Sequence, residues 1–229
     1  MFNYIFNNSR KILINIFVFL SYFVYQYLFV FIMAYMNINY FKLSINNKYL
    51  CNFIFNSIYI LILLFIYRKE LKEEAKDYKK NYSNYIKKYF VIYLIGIILM
   101  GLSNTLLQKI TPTSLSGNEE AVRKLIKLLP VYMTFSTVIF APIIEEVIFR
   151  KTIKNIFGNN VLFVIISGLL FGLLHVTNFK DMNEIIHSIP YIIMGIDFAY
   201  IYYKTKNIFT TITFHSFHNL ILLLVQFII

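Results

Sequence analysis

Two carboxylates stand side by side in an otherwise apolar run, Ala141-Pro142-Ile143-Ile144-Glu145-Glu146-Val147-Ile148-Phe149-Arg150. Ionised groups are costly at membrane depth and persist there where they have a partner or a task. Arg150 follows Glu146 by one helical turn on the same face, so these two can form an ion pair. Glu145 is rotated from Glu146 by roughly 100°. It cannot easily share that arginine and is left as the carboxylate free for chemistry. Pro142 removes a backbone donor and is expected to kink the helix, opening room beside the acid.

Two further polar pairs recur at the same one-turn spacing. Phe171 and His175 share a face in Phe171-Gly172-Leu173-Leu174-His175, with Gly168 and Gly172 offering a close approach to a neighbouring helix. His215 and Asn219 share another in His215-Ser216-Phe217-His218-Asn219, with His218 as a near flank. A carboxylate starved of water can serve as a general base near neutral pH. An imidazole can orient the same water or relay its proton. A second imidazole and an amide can donate to an oxyanion. Together these groups describe hydrolysis of a carbonyl compound such as a peptide bond. No Gly-x-Ser-x-Gly nucleophile elbow and no His-Glu-x-x-His zinc motif is present. Glu145, His175 and His215 can still supply three protein ligands to a zinc ion with water in the fourth position. The blander alternatives are packing histidines, an asparagine that glues helices together, and a structural Glu–Arg pair.

The elements that must position these groups are membrane spans. Of 229 residues, 59% are hydrophobic and 14% charged, against ~25% charged in an average soluble domain. The apolar residues fall in long runs rather than in short alternating stretches, which favours helices over a barrel. The expected class is all-α, a polytopic transmembrane bundle of about seven spans, six to eight. The spans are placed at Ile12–Met36, Tyr49–Tyr67, Tyr89–Gln108, Ile126–Phe149, Val161–Val176, Ile185–Tyr203 and Ile208–Ile229. The first is too long for a signal peptide. Residues 1–125 are read as N-terminal helices with a basic loop and 126–229 as the catalytic core, within one integral domain. The net charge of +11 follows the positive-inside rule rather than nucleic-acid binding, because the basic residues flank apolar spans. Clusters at Arg10–Lys11, Arg68–Lys88, Arg150–Lys154 and Lys204–Lys206 alternate so as to put the N-terminus in the cytoplasm. Segment Arg68–Lys88 reads as a solvated helix with opposite-charge pairs, or more sharply as a lipid-headgroup contact. Thr111–Asn118, with Pro112 and Gly117, reads as a loop. The single Cys51 leaves redox context unread, and the Asn, Ile, Lys and Tyr bias points to a low-GC bacterium.

Depth supplies a test of convergence. Glu145 lies 13 residues before the turn at Gly158 and His175 lies 15 after Asn160, so both sit ~20 Å along antiparallel helices. Helix four must then continue to about Phe157. His215 and Asn219 lie ~12 and ~18 Å past the turn near Asn207, so all four groups can meet.

Glu145-Glu146-x-x-x-Arg150, Phe171-x-x-x-His175 and His215-x-x-x-Asn219 resemble the three ordered motifs of the CPBP intramembrane proteases, which include type II CAAX prenyl endopeptidases, abortive-infection proteins and bacteriocin-processing relatives. Tyr202-Tyr203-Lys204-Thr205-Lys206-Asn207 resembles their usual lead-in to the last motif. The resemblance covers residues 126 to 219. It implies a membrane-embedded helical endopeptidase in which Glu145 and His175 activate water, and His215 and Asn219 form the oxyanion site. Glu146, Arg150 and Phe171 would support them, with no metal required. Asp197 departs from the pattern; it is expected to pair with a polar neighbour and is given no role. The partners expected are membrane lipid and a peptide or protein substrate: a prenylated protein, a peptide pheromone or a bacteriocin leader. A non-catalytic immunity or sensor protein is the competing reading. A small transporter with a Glu145–His175 proton relay ranks third, because a relay does not need Asn219.

Overall fold

A computed structural model describes residues 8–111 and 115–228. Every regular element among them is helical. The helices are α1 (Ser9–Tyr35), α2 (Ile45–Ile66), α3 (Arg68–Ile110), α4 (Gly117–Leu128), α5 (Pro130–Phe157), α6 (Val161–Leu173), α7 (Met182–Ile186), α8 (Ile189–Thr205) and α9 (Ile208–Ile228). Six stretches are long and apolar enough to cross a membrane: α1, α2, α3, α5, the α7–α8 unit and α9. Their outward faces carry bare apolar side chains such as Phe17, Leu61 and Val91, as lipid contact requires. The chain is an integral membrane protein.

Local chemistry explains most boundaries. Ser44, Ser116 and Asn160 cap α2, α4 and α6 by accepting backbone N–H groups from Asn47, Glu119 and Phe163. Pro130 opens α5, where its missing donor does no harm. Gly158 ends α5 with φ 84°, a conformation that glycine adopts without strain. Lys206 takes the left-handed conformation at φ 53° between α8 and α9.

Several expectations are corrected. The fourth span does not begin at Ile126: α4 ends at Leu128, and α5 starts afresh at Pro130. The loop expected over Thr111–Asn118 is shorter, because Gly117 already begins α4; Pro112 lies outside the described residues, as does Ile229. Helix α6 has 13 residues, about 20 Å, shorter than the ~30 Å hydrocarbon core and than the expected Val161–Val176. The kink expected at Pro142 takes another form. Two π-helical stretches, Ser136–Phe140 and Glu146–Thr152, flank the turn Ala141–Glu145. Such wide turns re-aim side chains and recur at functional sites.

The basic segment is a solvated helix on one side only. It is the first half of α3, unbroken over 43 residues; its lysines are exposed and Lys76 pairs with Glu73 at 3.2 Å as expected, while Glu70 and Glu74 turn toward the core. The Lys151 ammonium, wholly buried, pairs with Glu70 at 3.1 Å and with Glu74. Glu74 also accepts the Ile208 N–H at 2.7 Å, and Asn207 Nδ2 donates to the Glu74 carbonyl at 2.7 Å and to Asp77 at 2.8 Å. An acid on α3 thus caps the start of α9. Asn15 of α1 accepts from Tyr67 at 2.7 Å and from Asn155 at 3.3 Å, tying the N-terminal helices to the end of α5. One apolar cluster joins Val18, Tyr59 and Leu63 to Val147, Phe149 and Phe171.

Helix α8 is central, burying nine of its 17 residues against three of 22 in α2. The approach expected of Gly168 and Gly172 is made with α8: a Cβ on Gly168 would meet the Ile196 nitrogen at 2.8 Å, and one on Gly172 the Ile192 nitrogen at 2.8 Å.

Candidate active site

The wide turns of α5 carry Glu145 and Glu146 to neighbouring but separate surroundings. Glu146 and Arg150 are wholly buried, and Arg150 Nε donates to Glu146 Oε2 at 3.0 Å. The pairing expected from their spacing is present. Arg150 is held further by Ser167, whose hydroxyl accepts from Nη1 at 2.9 Å, and by the Phe171 ring, 4.6 Å below the guanidinium. Breaking a pair this deep would cost ~3–5 kcal/mol, since the survivor is left as a bare buried charge.

Glu146 has a second partner. Its Oε1 lies 2.9 Å from His215 Nδ1. A carboxylate already bound to arginine is an acceptor, so Nδ1 carries the donated proton and the ring is locked with Nε2 facing away. Nε2 faces Glu145, 3.8 Å from Oε2. His215 therefore stands between the twin glutamates. Phe198 stacks on its ring at 4.9 Å and Phe171 meets it edge-on at 5.6 Å, which leaves the imidazole little freedom.

His175 sits in the turn just beyond α6 rather than within the helix. Its Nδ1 is 2.9 Å from the Phe171 carbonyl. A carbonyl only accepts, so this nitrogen is the N–H and Nε2 holds the lone pair. The ring stacks on Tyr191 at 4.1 Å and leans on Phe171 at 5.0 Å. Asn219 donates from Nδ2 to the Thr137 carbonyl at 2.8 Å, in the first π-helical stretch of α5. That bond uses one amide hydrogen and leaves the other.

Glu145, Phe171, His175, His215, His218 and Asn219 line one cavity of about 410 Å3. Residues of all three motifs thus line one cavity. The direct polar neighbour of Glu145 is His215; His175 shares the cavity with it. Among the described residues no group of three or more His, Cys, Asp or Glu is arranged to hold a metal ion, so Glu145, His175 and His215 are not gathered as a ligand set.

Asp197 does not find the polar neighbour expected. It is buried against Gly96, and its Oδ2 has no hydrogen-bond partner among the described residues. Sequence reasoning missed Ser167, Tyr191 and Phe198. Ser167 precedes Phe171 by one turn and could have been found from that spacing. Tyr191 and Phe198 sit on α8, whose apolar sequence gives no sign of which side meets the site.

Comparison with known proteins yields a matching family model, type II CAAX prenyl endopeptidase Rce1-like, over residues 127–221. This interval contains all three motifs and agrees with the resemblance read from them. A Bacillus subtilis (strain 168) protein named "Putative membrane peptidase YdiL" is 32% identical over 114 residues, covering 48% of this chain and 43% of that protein. An uncharacterised Mycoplasma capricolum protein is 35% identical over 86 residues, covering 37% of this chain and 24% of the relative. The chain therefore spans less than half the length of the curated relatives it matches. No solved structure matches it significantly.

Proposed function

With residues 127–221 matching the type II CAAX prenyl endopeptidase Rce1-like family model, we propose that the chain is an intramembrane peptidase that cleaves a peptide bond with a glutamate-activated water. The observation that carries this reading is His215, held by Glu146 on one nitrogen and presented to Glu145 on the other, in the cavity that also receives His175 and Asn219.

Glu145 is the base. It takes a proton from water while the water oxygen bonds to the substrate carbonyl carbon. His175 orients that water through Nε2, since its Nδ1 is committed to Phe171. The oxyanion takes a hydrogen bond from the remaining Asn219 N–H and one from His215 when both ring nitrogens are protonated. Arg150 and the doubly protonated His215 then balance Glu146 together with either the Glu145 carboxylate before proton transfer or the oxyanion after it, so the site stays neutral as an apolar setting demands. The C–N bond then breaks, and Glu145 returns its proton to the leaving amine. Glu146, Arg150 and Phe171 are positioning residues. Substrates of this class include prenylated proteins, peptide pheromones and bacteriocin leaders. The setting proposed is a bacterial cell membrane with the N-terminus in the cytoplasm.

The experiment is cleavage of candidate peptides by purified protein in lipid nanodiscs. Glu145→Gln should lower turnover by about 10²–10⁴-fold with the fold intact. Wild-type turnover in that variant would refute the assignment. Stoichiometric zinc in the purified protein, with activity lost to chelators, would replace the metal-free mechanism.

A further inference from the structure

Glu145 opens onto a second cavity as well. It measures about 810 Å3 and lies between α1, α2 and α5. Among the described residues only Ala141 and Glu145 line both cavities. Ala141 is one turn before Glu145 and has no bulk to close the passage. The N-terminal helices thus build a chamber that ends at the carboxylate proposed as base.

The wall of this chamber is not that of a hydrocarbon slot. Asn52 and Asn56 line it one turn apart on α2. The Tyr40 hydroxyl donates to Asn52 Oδ1 at 3.3 Å, and the Tyr25 hydroxyl donates to Asn56 Oδ1 at 3.2 Å. Tyr25 is itself fixed, stacked on Tyr59 at 4.2 Å and accepting from Gln26 at 3.3 Å. With both amide oxygens engaged by tyrosines, each amide presents its NH2 group as the donor to spare. Four residues of helix separate these groups by ~6 Å. Carbonyls on one edge of an extended peptide recur every second residue, ~6.8 Å apart. A hydrocarbon tail would leave both amides unpaired in an apolar setting, which is costly. A peptide in that setting must itself find partners for its backbone.

We infer that the α1–α2–α5 chamber binds an unlipidated, extended stretch of the substrate peptide, with Asn52 and Asn56 donating to carbonyls of alternate residues next to the bond presented to Glu145. The inference rests on the peptidase reading and adds the substrate class and the residues that would grip it. These asparagines lie outside the three motifs, in the half of the chain that the family model does not match.

The test uses the full chain in nanodiscs and a synthetic decapeptide of leucine, alanine and phenylalanine, without lipid, carrying one central benzophenone. Saturable photolabelling of α1, α2 or α5 beside the chamber is expected. Asn52→Leu with Asn56→Leu should weaken binding by roughly 5–30-fold. Ester replacement of successive peptide amides should weaken binding to the unaltered protein at every second position, a readout that misfolding of a variant cannot imitate. Three results each overturn the inference: no saturable binding, labelling elsewhere, or an affinity indifferent to both substitutions. Hydrolysis is read separately. Binding with the expected period, alongside wild-type turnover in Glu145→Gln, would overturn the base assignment and leave the chamber's role standing.

Discussion

In the proposed peptidase His215 carries two duties that pull in opposite directions. It must hold still, and it must present a nitrogen to the chemistry. The Glu146–Arg150 pair answers the first need by fixing Nδ1, and the second follows because an imidazole has a nitrogen opposite. The two glutamates therefore divide the work by surroundings: Glu146 has arginine and imidazole as partners, while Glu145 faces two cavities. Arg150→Met should destabilise the protein by about 3–5 kcal/mol because Glu146 is left charged and buried. Unfolding followed in detergent checks this, and a midpoint like that of wild type would show that the pair is replaceable. Asn219→Ala should lower kcat by about 10²–10³-fold, the usual loss of one oxyanion donor, with KM little changed. A change confined to KM would instead make Asn219 a binding residue.

At the scale of elements, two helix contacts set the site's geometry from outside it. The α6–α8 seam is so close that a Cβ on Gly172 would come within 2.8 Å of the Ile192 nitrogen, whereas one on Gly101 of α3 would meet nothing within 4 Å. Gly172→Ala should therefore lower the melting temperature and activity together. Gly101→Ala should be neutral or raise stability by roughly 0.5–1 kcal/mol through helix propensity. Equal effects at the two glycines would show that the seam yields. The second contact is Glu74 on α3, which pairs with Lys151 of α5 and caps α9. Helix α5 carries the glutamates and α9 carries His215 and Asn219, so one side chain sets these two elements relative to each other. Glu74→Ala should reduce both thermal stability and turnover without touching the cavity, and unchanged turnover would remove Glu74 from the positioning scheme.

At the scale of the whole molecule, the N-terminal helices are more than an anchor. Val18, Tyr59 and Leu63 pack in the same cluster as Val147 and Phe149, and Asn15 binds Tyr67 and Asn155. A fragment from residue 126 onward would expose these contacts to lipid, taking from Lys151 its Glu70 and Glu74 carboxylates and from Asn155 the Asn15 amide oxygen. Such a fragment should fail to accumulate in membranes, and coexpression with residues 1–125 should restore it. Charge distribution adds a topological expectation: a phosphatase reporter after Asn39 should be active outside the cell and one after Lys79 inactive.

Most of the spans could be read from the chain, as could the motif residues that line one cavity, because apolar length and helical rise are local quantities. So could the Glu146–Arg150 pair, set by a spacing of one turn. The destination of the Arg68–Lys88 charges could not: the segment is rich in both signs, and local pairing satisfies it as well on paper as the core does. Nor could the ring that meets Glu145. Counting residues put His175, not His215, level with Glu145, while the rotation of α9 about its axis, set by Glu74, Asn207 and the packing of Phe198, decides that His215 stands between the two acids. Sequence marked which groups could converge. Tertiary structure decided which of them touch, because azimuth depends on every helix packed around the site.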